Sequence, residues 1–179
     1  MATDKLKIGS SLPEFNLPAV DGKNYDPNMF ANDQTLVIIF SCNHCPYVQA
    51  YEERIKMIQK DYKEKGVSLL AISANDADKY PEDSFEQMKL RSAERDFNFP
   101  YLYDEEQSVA KAFGATHTPE VFVFDKNRKL AYHGKIDDNW QEPENVKSEY
   151  LREALDELLA GNSVSVPETY SIGCTIKWK

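Results

Sequence analysis

The most informative segment of the chain reads Leu36-Val-Ile-Ile-Phe-Ser-Cys-Asn-His-Cys-Pro-Tyr-Val48. It opens with an unbroken apolar run, a pattern typical of a central parallel strand that is buried on both faces. Pro46 follows the second cysteine, and proline is favoured at the first helical position because its missing N–H would be unpaired there. The segment therefore predicts a buried strand, a turn that carries two cysteines, and a helix that begins at Pro46.

Strands and helices alternate on either side of this segment. Beyond Pro46, apolar residues recur at steps of three and four as far as Tyr62, which predicts an amphipathic helix that ends near Gly66. The patterning predicts further elements: strands at 67–73, 120–124 and 129–133, and helices at 84–96, from a capping box at 104–107 to 113, and at 146–159. This alternation predicts an α/β fold in which a central mixed β-sheet is flanked by helices on both faces.

The chain length of 179 residues fits one ordinary domain, and no stretch rich in glycine and serine divides it. We therefore expect a single domain over residues 1–179. Residues 1–34 carry several turn signals and predict a β-rich N-terminal extension of short strands and loops. Residues 162–179 follow the last predicted helix and form a C-terminal tail.

Composition narrows the classes of function. Lysine and arginine number 21 against 30 aspartate and glutamate, which gives a net charge of -9 at pH 7. Because an acidic surface repels phosphate backbones and anionic lipids, we expect neither nucleic acid nor a membrane as a partner. The longest unbroken apolar run is Leu36–Phe40, and the first residues lack the apolar core of an export signal. These features predict a cytoplasmic location.

Cys42 and Cys45 form a C-x-x-C pair where the predicted strand ends and the helix begins. A helix N-terminus supplies unpaired N–H groups and a partial positive charge, and both stabilise a thiolate. A thiol with a pKa of about 8.5 is ionised to only ~3% at pH 7, whereas one with a pKa of about 7 is roughly half ionised. The position therefore indicates redox chemistry. Metal binding and inert packing are the alternatives, since free cysteines are often buried as small hydrophobes.

A family resemblance is carried by several blocks of the chain. They are Ile8–Leu17 with Asp21-Gly-Lys23, the strand-cysteine-helix segment with its Cys-Asn-His-Cys-Pro-Tyr-Val string, Gly114–Asp125, and Gly173–Trp178. The blocks resemble the thioredoxin-like superfamily, specifically the redoxin branch that thiol–disulfide oxidoreductases share with peroxiredoxin-like AhpC/TSA proteins. The cysteine string and the closing block resemble one subgroup of redoxin-like proteins. The resemblance implies a thioredoxin-like fold for the mixed sheet.

The resemblance also implies a role for Thr118 and Pro119. In this superfamily the corresponding proline follows a cis peptide bond and faces the cysteines. The residue before it offers its backbone to the incoming substrate, as a neighbouring β-strand would. Thr118 and Pro119 are therefore expected to bind substrate. The alternative is an ordinary proline that starts a strand, because only about 5–6% of X–Pro bonds are cis.

Two assignments of the attacking sulfur remain open. The usual order of a C-x-x-C pair makes Cys42 the attacking thiol and Cys45 the resolving one. Counting from Phe40, however, thioredoxin-like and glutaredoxin-like enzymes place the attacking cysteine at the position of Cys45. Because Pro46 fixes the start of the helix, electrostatics also favour Cys45 as the sulfur of lower pKa. Both cysteines are expected to be catalytic and open to an incoming partner.

Together these features predict a thiol–disulfide oxidoreductase that uses no bound cofactor. The expected substrate carries a disulfide or an oxidised thiol, and a separate dithiol reductant restores the enzyme. Antioxidant activity by peroxide reduction is a weaker expectation. Peroxiredoxins carry a motif similar to Pro-x-x-x-Thr-x-x-Cys, in which the final cysteine is the attacking thiol. Counting back from Cys45 places Cys42 and Ile38 at the threonine and proline positions, and counting back from Cys42 places Ile39 and Thr35 there.

His44 and Cys174 are auxiliary candidates. His44 lies between the two cysteines and stabilises a thiolate when it is protonated. Cys174 lies in the apolar-rich tail, where it either folds back to the active site or packs as a small residue in a terminal strand. His117 and His133 are expected on the surface or in loops, although the resemblance brings His117 close to the cysteines.

A copper- or zinc-binding module that acts as a metal carrier is the alternative function. Cys42, Cys45 and Cys174, with His44 or His117, could form a site of soft ligands. Redoxin-like copper carriers also use two cysteines before a proline and a distant histidine, but their cysteine spacing is longer. We therefore expect a redox dithiol rather than a metal site.

Overall fold

The structure, a computed structural model, describes residues 4–179, so the start of the predicted N-terminal extension lies outside it. The strands in chain order are β1 (Leu17–Pro18), β2 (Asn24–Tyr25), β3 (Thr35–Ser41), β4 (Val67–Ser73), β5 (Tyr101–Tyr103), β6 (His117–Thr118), β7 (Glu120–Phe124), β8 (Leu130–Gly134) and β9 (Cys174–Thr175). The α-helices are α1 (Pro46–Tyr62), α2 (Phe85–Glu94), α3 (Ser108–Phe113) and α4 (Tyr150–Leu159).

The central sheet has the strand order β5-β4-β3-β7-β8. β3, β4 and β5 run parallel, whereas β7 is antiparallel to both β3 and β8. β3 lies in the middle of the sheet, and every one of its residues is buried. Such burial is what an all-apolar strand needs when both faces of its sheet are covered. The predicted α/β class, with a mixed sheet flanked by helices, is confirmed.

The side chains of β3 alternate between two apolar cores, one on each face of the sheet. Leu36, Ile38 and Phe40 belong to a core that α3 and the N-terminal segment complete. Val37 and Ile39 belong to the opposite core, which α1, α2 and α4 cover. Because successive strand residues face opposite sides, this alternation holds β3 rigidly between two layers. The carboxyl end of β3 is therefore fixed at the point where α1 begins.

The capping box predicted at 104–107 is wrong. These residues form a turn, and α3 begins only at Ser108. Gln107 takes a left-handed backbone with φ 64, which ends any helical run before it. The carboxylate of Asp104 instead accepts the N–H of Ala110 at 2.8 Å, so it caps α3 from outside the helix.

Two other boundaries differ from the expectation. α4 begins at Tyr150 rather than at Val146, because the backbone of Val146 is extended after a separate 3-10 turn at Pro143–Asn145. Within residues 4–34, the predicted β-rich extension contains the short β1–β2 hairpin and a 3-10 turn at Pro27–Phe30. Its role is packing more than sheet formation, since Phe15 and Leu17 are buried in the core on the α3 side.

The C-terminal tail returns along the sheet edge to the tip of α1. Near β8, the N–H of His133 donates to the Pro167 carbonyl, and the N–H of Thr169 donates to the His133 carbonyl. β9 then pairs antiparallel with β6, which places Cys174 opposite Thr118. None of the helices among residues 4–179 combines the length and apolar character needed to cross a bilayer.

Candidate active site

Both cysteines of the C-x-x-C pair lie at the tip of α1. β3 ends at Ser41, and Cys45 is the N-cap residue of α1, directly before Pro46. The sulfur of Cys42 lies 3.6 Å from the hydroxyl oxygen of Thr118. The sulfur of Cys45 lies 3.5 Å from the carbonyl oxygen of the same residue. One strand-to-helix turn therefore presents two sulfurs to a single residue of β6.

The surroundings of Cys45 favour its thiolate. The Cys42 thiol donates a hydrogen bond to the Cys45 sulfur and is the largest influence that lowers its pKa. Burial raises that pKa, but the thiol of Cys174 and the N–H groups of Val48 and Cys174 lower it again. The carbonyl of Thr118 can accept only from the protonated form, and this single weak contact opposes several donors. The pKa of Cys45 therefore lies well below that of an ordinary thiol.

Cys42 has the opposite surroundings. Its hydrogen bond to the Cys45 sulfur, its burial and the negative charge of Asp83 all raise the pKa of Cys42 above its usual range. The hydroxyl of Thr118 opposes them only in part. In the reduced protein, Cys42 is thus a proton donor and Cys45 is the charged sulfur.

Asn43 holds the turn between the two cysteines. Its N–H donates to Asp83 at 2.7 Å, and its side-chain amide donates to the carbonyl of Glu82 at 2.9 Å. Its side-chain oxygen accepts from the hydroxyl of Tyr101 at 2.9 Å, and its carbonyl accepts from Gln49 at 2.9 Å. Because each polar group of this buried residue has a partner, the positions of both sulfurs are fixed.

Asp83 places a carboxylate beside Cys42. Its side chain is fully buried and also accepts from Asn75 at 2.8 Å. The Nδ1 atom of His44 contacts the same carboxylate, and the His44 ring stacks on Tyr80 with centroids 5.9 Å apart. The ligand atoms of Cys42, His44 and Asp83 all lie within 4.8 Å of one another. This group could pass a proton to or from Cys42, or hold a metal ion.

The three atoms differ from the ligand set that the sequence predicts for a metal site. Cys42 and His44 do come together, but the third member is Asp83 rather than another cysteine. His117 makes a different contact, because its Nδ1 atom lies 2.8 Å from the hydroxyl of Thr116.

The peptide bond between Thr118 and Pro119 is cis, and both residues are buried beside the sulfurs. β6 ends at Thr118, and its partner strand is β9 of the C-terminal tail. Cys174 consequently packs against Cys42 and Cys45 in one small cluster. The tail cysteine is thus both a terminal-strand residue and a third sulfur at the site.

The expectation that the cysteine pair is open to a partner is wrong for this conformation. The relative exposure of Cys42 is 2% and that of Cys45 is 0%. Cys174 is half-buried. Tyr47 and Cys174 both pack against the pair, and the tail covers the side of the turn where the sulfurs meet Thr118.

The expectation that His133 lies on the surface or in a loop is also wrong. His133 is buried in β8, and its Nε2 atom lies 2.6 Å from the carboxylate of Glu120. Glu120 also accepts the N–H groups of Thr116 at 2.9 Å and His117 at 3.1 Å. Burial raises the pKa of Glu120, but the hydrogen bonds from His133 and Thr116 outweigh it and lower that pKa overall. This pair fixes the loop that leads into Pro119.

Sequence reasoning missed Asp83 and Glu120. Glu120 leaves a signal, since it is the one charged residue of a strand that is otherwise apolar and it precedes a strand that contains His133. Asp83 leaves none, because it lies in a polar loop and reaches the cysteines only through the tertiary fold.

Comparison with known proteins supports these assignments of fold and family. A family model described as Redoxin matches residues 7–150. The chain belongs to the redoxin family. A thiol-disulfide oxidoreductase ResA from Bacillus thuringiensis is 24% identical over 158 residues, which is 87% of this chain and 79% of that protein.

Solved structures share the architecture. An uncharacterized conserved protein from Geobacillus kaustophilus is 43% identical, with a TM-score of 0.91 over 100% of this chain and 96% of that one. A thioredoxin-family thiol:disulfide interchange protein from Chlorobium tepidum is 18% identical, with a TM-score of 0.60 over 73% of this chain and 87% of that one. The fold is therefore thioredoxin-like, as the sequence resemblance implied.

Proposed function

We propose that this protein is a thiol–disulfide oxidoreductase in which Cys45 attacks and Cys42 resolves. The observation that carries the proposal is the contrast between the two sulfurs. Cys45 is the N-cap residue of α1 and neighbouring donors lower its pKa, whereas Cys42 keeps its proton beside the buried Asp83. The attacking species in disulfide exchange is a thiolate, so this contrast selects Cys45. The relative named thiol-disulfide oxidoreductase supports the same reaction class.

The first step joins one sulfur of the substrate to Cys45. The Cys45 thiolate attacks a substrate disulfide, forms a mixed disulfide, and releases the other substrate sulfur as a thiolate. Because the attack consumes the Cys45 charge, the main influence that keeps Cys42 protonated disappears at this moment. The pKa of Cys42 then falls, so Cys42 can lose its proton and attack in the second step.

The second step releases the reduced substrate. Cys42 gives its proton to the His44–Asp83 pair or to the departing thiolate, and its sulfur attacks Cys45. A Cys42–Cys45 disulfide forms and the second substrate sulfur leaves. An external dithiol then reduces this disulfide, so the cycle needs no bound cofactor.

Thr118 and Pro119 supply the docking edge in this proposal. The carbonyl and hydroxyl of Thr118 already face the two sulfurs, and β6 can pair with an extended segment. A substrate strand that binds there would bring its own sulfur next to Cys45. The substrate class is a polypeptide that carries a disulfide or an oxidised thiol, and peroxide, which oxidises thiolates to sulfenic acid, is a lesser substrate.

Single-cysteine variants test the assignment of roles. Reduction of a peptide disulfide, with dithiothreitol as the regenerating dithiol, is expected to fall by at least about 100-fold in Cys45→Ser. Cys42→Ser/Cys174→Ser, in which Cys45 is the one remaining cysteine, is expected to accumulate a mixed disulfide on Cys45, visible by mass spectrometry of the non-reduced protein. Cys42→Ser/Cys45→Ser gives the uncatalysed background. An adduct trapped on Cys42 in Cys45→Ser would reverse the assignment.

The cluster of Cys42, His44 and Asp83 favours a second candidate function, which is zinc or copper binding. Metal analysis of protein purified under reducing conditions tests it, with Asp83→Asn as the variant that removes one ligand. Stoichiometric metal that is lost in Asp83→Asn would support the metal carrier, and metal-free active protein would exclude it.

A further inference from the structure

Three sulfurs meet at the tip of α1, although the proposed cycle uses two of them. Cys174 contacts the Cys42–Cys45 cluster from the C-terminal tail, more than 120 residues farther along the chain. Its pairing with Thr118 places it beside the residue that both sulfurs of the pair contact. Cys174 is also the most exposed of the three, so it forms the outer wall of the site.

The tail reaches this position as a β-strand. Cys174 pairs with Thr118 in antiparallel register, and the N–H of Ile176 donates to the carbonyl of Thr116 at 2.9 Å. This is the edge at which the proposed function places the substrate. A substrate strand and β9 would therefore compete for the same backbone groups, and each would hold a sulfur beside Cys45.

The residue before Cys174 is a glycine for a steric reason. A Cβ atom at Gly173 would lie 1.9 Å from the carbonyl oxygen of Thr118. No side chain fits at that distance, so the tail can lie this close to the cis-proline segment only with glycine here. The close approach of Gly173 to Thr118, with Cys174 as the next residue, indicates a specific packing contact between the tail and the active site.

The tail has an exposed segment between two attached ones. Between its attachments at 167–169 and 174–177, Tyr170 is 94% exposed and Ile172 is 50% exposed. A short exposed stretch of this kind can bend while the attachment beside β8 stays in place. The strand β9 can thus leave β6 when its attachments at 174–177 open, while the attachment beside β8 stays in place.

We propose that β9 is a tethered occupant of the substrate-docking edge and that Cys174 is a third redox cysteine, which forms a reversible disulfide with Cys45. This inference rests on the proposed function. β9 must leave before a substrate can bind, and it returns when the substrate strand leaves β6 while the disulfide to Cys45 still holds the substrate. Its return delivers Cys174 to the mixed disulfide as a second resolving thiol.

The step balances without any further reagent. Cys174 gives its proton to the departing substrate thiolate, and its sulfur attacks Cys45 in the Cys45–substrate disulfide. The Cys45–substrate bond breaks, a Cys45–Cys174 bond forms, and the substrate leaves reduced. Cys42 or the external dithiol then attacks Cys45 and restores the Cys174 thiol.

Disulfide mapping in Cys42→Ser tests the chemistry. After oxidation with one equivalent of a peptide disulfide, we expect a Cys45–Cys174 link in the digested, non-reduced protein, and Cys42→Ser/Cys174→Ser should keep the peptide adduct on Cys45. A stable peptide adduct on Cys45 in Cys42→Ser, with Cys174 still free, would overturn the inference and leave the proposed function intact. Loss of all exchange would count against the proposed function instead.

Alkylation tests the covering role independently of disulfide formation. In reduced Gly173→Val, the new side chain should displace β9, and iodoacetamide should modify Cys45 about tenfold faster than in the wild type. Tyr170→Ala is the matched control, because it changes an exposed residue of the same stretch. Far-UV circular dichroism of each variant checks that the fold survives. Equal rates in folded Gly173→Val and wild type would refute the covering role.

Discussion

The sulfurs of Cys42 and Cys45 share one turn, yet their electrostatic surroundings are opposite. The difference comes from what each sulfur faces: N–H and S–H donors around Cys45, and a buried carboxylate near Cys42. The sequence indicates part of this, because Pro46 marks the start of the helix and hence the donors. It cannot reveal Asp83, which belongs to a separate loop and contacts the turn by accepting the N–H of Asn43.

The pH dependence of stability follows from the lowered pKa of Cys45. An unfolded thiol with a pKa of about 8.5 holds a proton at pH values at which the folded Cys45 does not. Unfolding therefore takes up a proton, and the stability of the reduced protein should rise with pH by up to about 1.4 kcal/mol per pH unit below pH ~8. The contribution is complete above the unfolded pKa and is lost as the pH falls through the folded one.

Urea unfolding between about pH 6 and 8 measures this contribution, with the thiolate followed by its absorbance near 240 nm. Reduced Cys45→Ser and the oxidised wild type are the controls, because neither carries a thiol at this position. Parallel pH slopes for reduced wild type and Cys45→Ser would mean that Cys45 is not the low-pKa sulfur.

Among the secondary-structure elements, β3, β4 and β7 are predictable to within a residue at each end. Their apolar runs are buried on both faces, so local pattern and tertiary environment agree. β6 and β9 are different, because each has two residues and exists only through pairing with the other. No local pattern can specify such a pair, since both hydrogen-bonding partners are chosen by the fold.

The loop before the cis-proline depends on Glu120, which is the first residue of β7. Glu120→Ala leaves His133 without its buried partner and removes the acceptor for the N–H groups of Thr116 and His117. We expect a loss of about 3 kcal/mol in the free energy of unfolding. Glu120→Gln keeps one acceptor oxygen and should cost less. Chemical denaturation measures both, and Glu86→Ala, at an exposed position, should change stability by less than about 0.5 kcal/mol. A cost for Glu120→Ala no greater than that of Glu86→Ala would exclude this structural role.

Across the whole molecule, the feature that sequence reasoning could not predict is the covering of the site by the chain terminus. The sequence places Cys174 in an apolar tail and leaves open whether it reaches the cysteines. The answer depends on anchors from distant segments. Asn75 accepts the N–H of Lys177 at 2.9 Å, and the side chain of Ile176 is buried in the core. These contacts form only after the sheet has assembled.

Gln107 is the anchor that can be removed with least disturbance to the sulfurs. Its side chain donates to the carbonyls of Ala74 at 2.8 Å and Lys177 at 2.9 Å, and it accepts the N–H of Lys179 at 3.1 Å. Gln107→Ala should release the end of the tail, because two of these three hydrogen bonds hold it. We expect carboxypeptidase to remove C-terminal residues several-fold faster than in the wild type, at a rate set by local opening.

The same variant should raise the alkylation rate of Cys45 if the end of the tail and β9 open together, and leave it unchanged if they open separately. Gln141→Ala, at an exposed glutamine, is the matched control for both measurements. Faster trimming in Gln107→Ala with no change at Cys45 would confine the opening to the last residues. Unchanged trimming would mean that the burial of Ile176 and the hydrogen bond between Lys177 and Asn75, which Gln107→Ala leaves in place, are enough to anchor the tail.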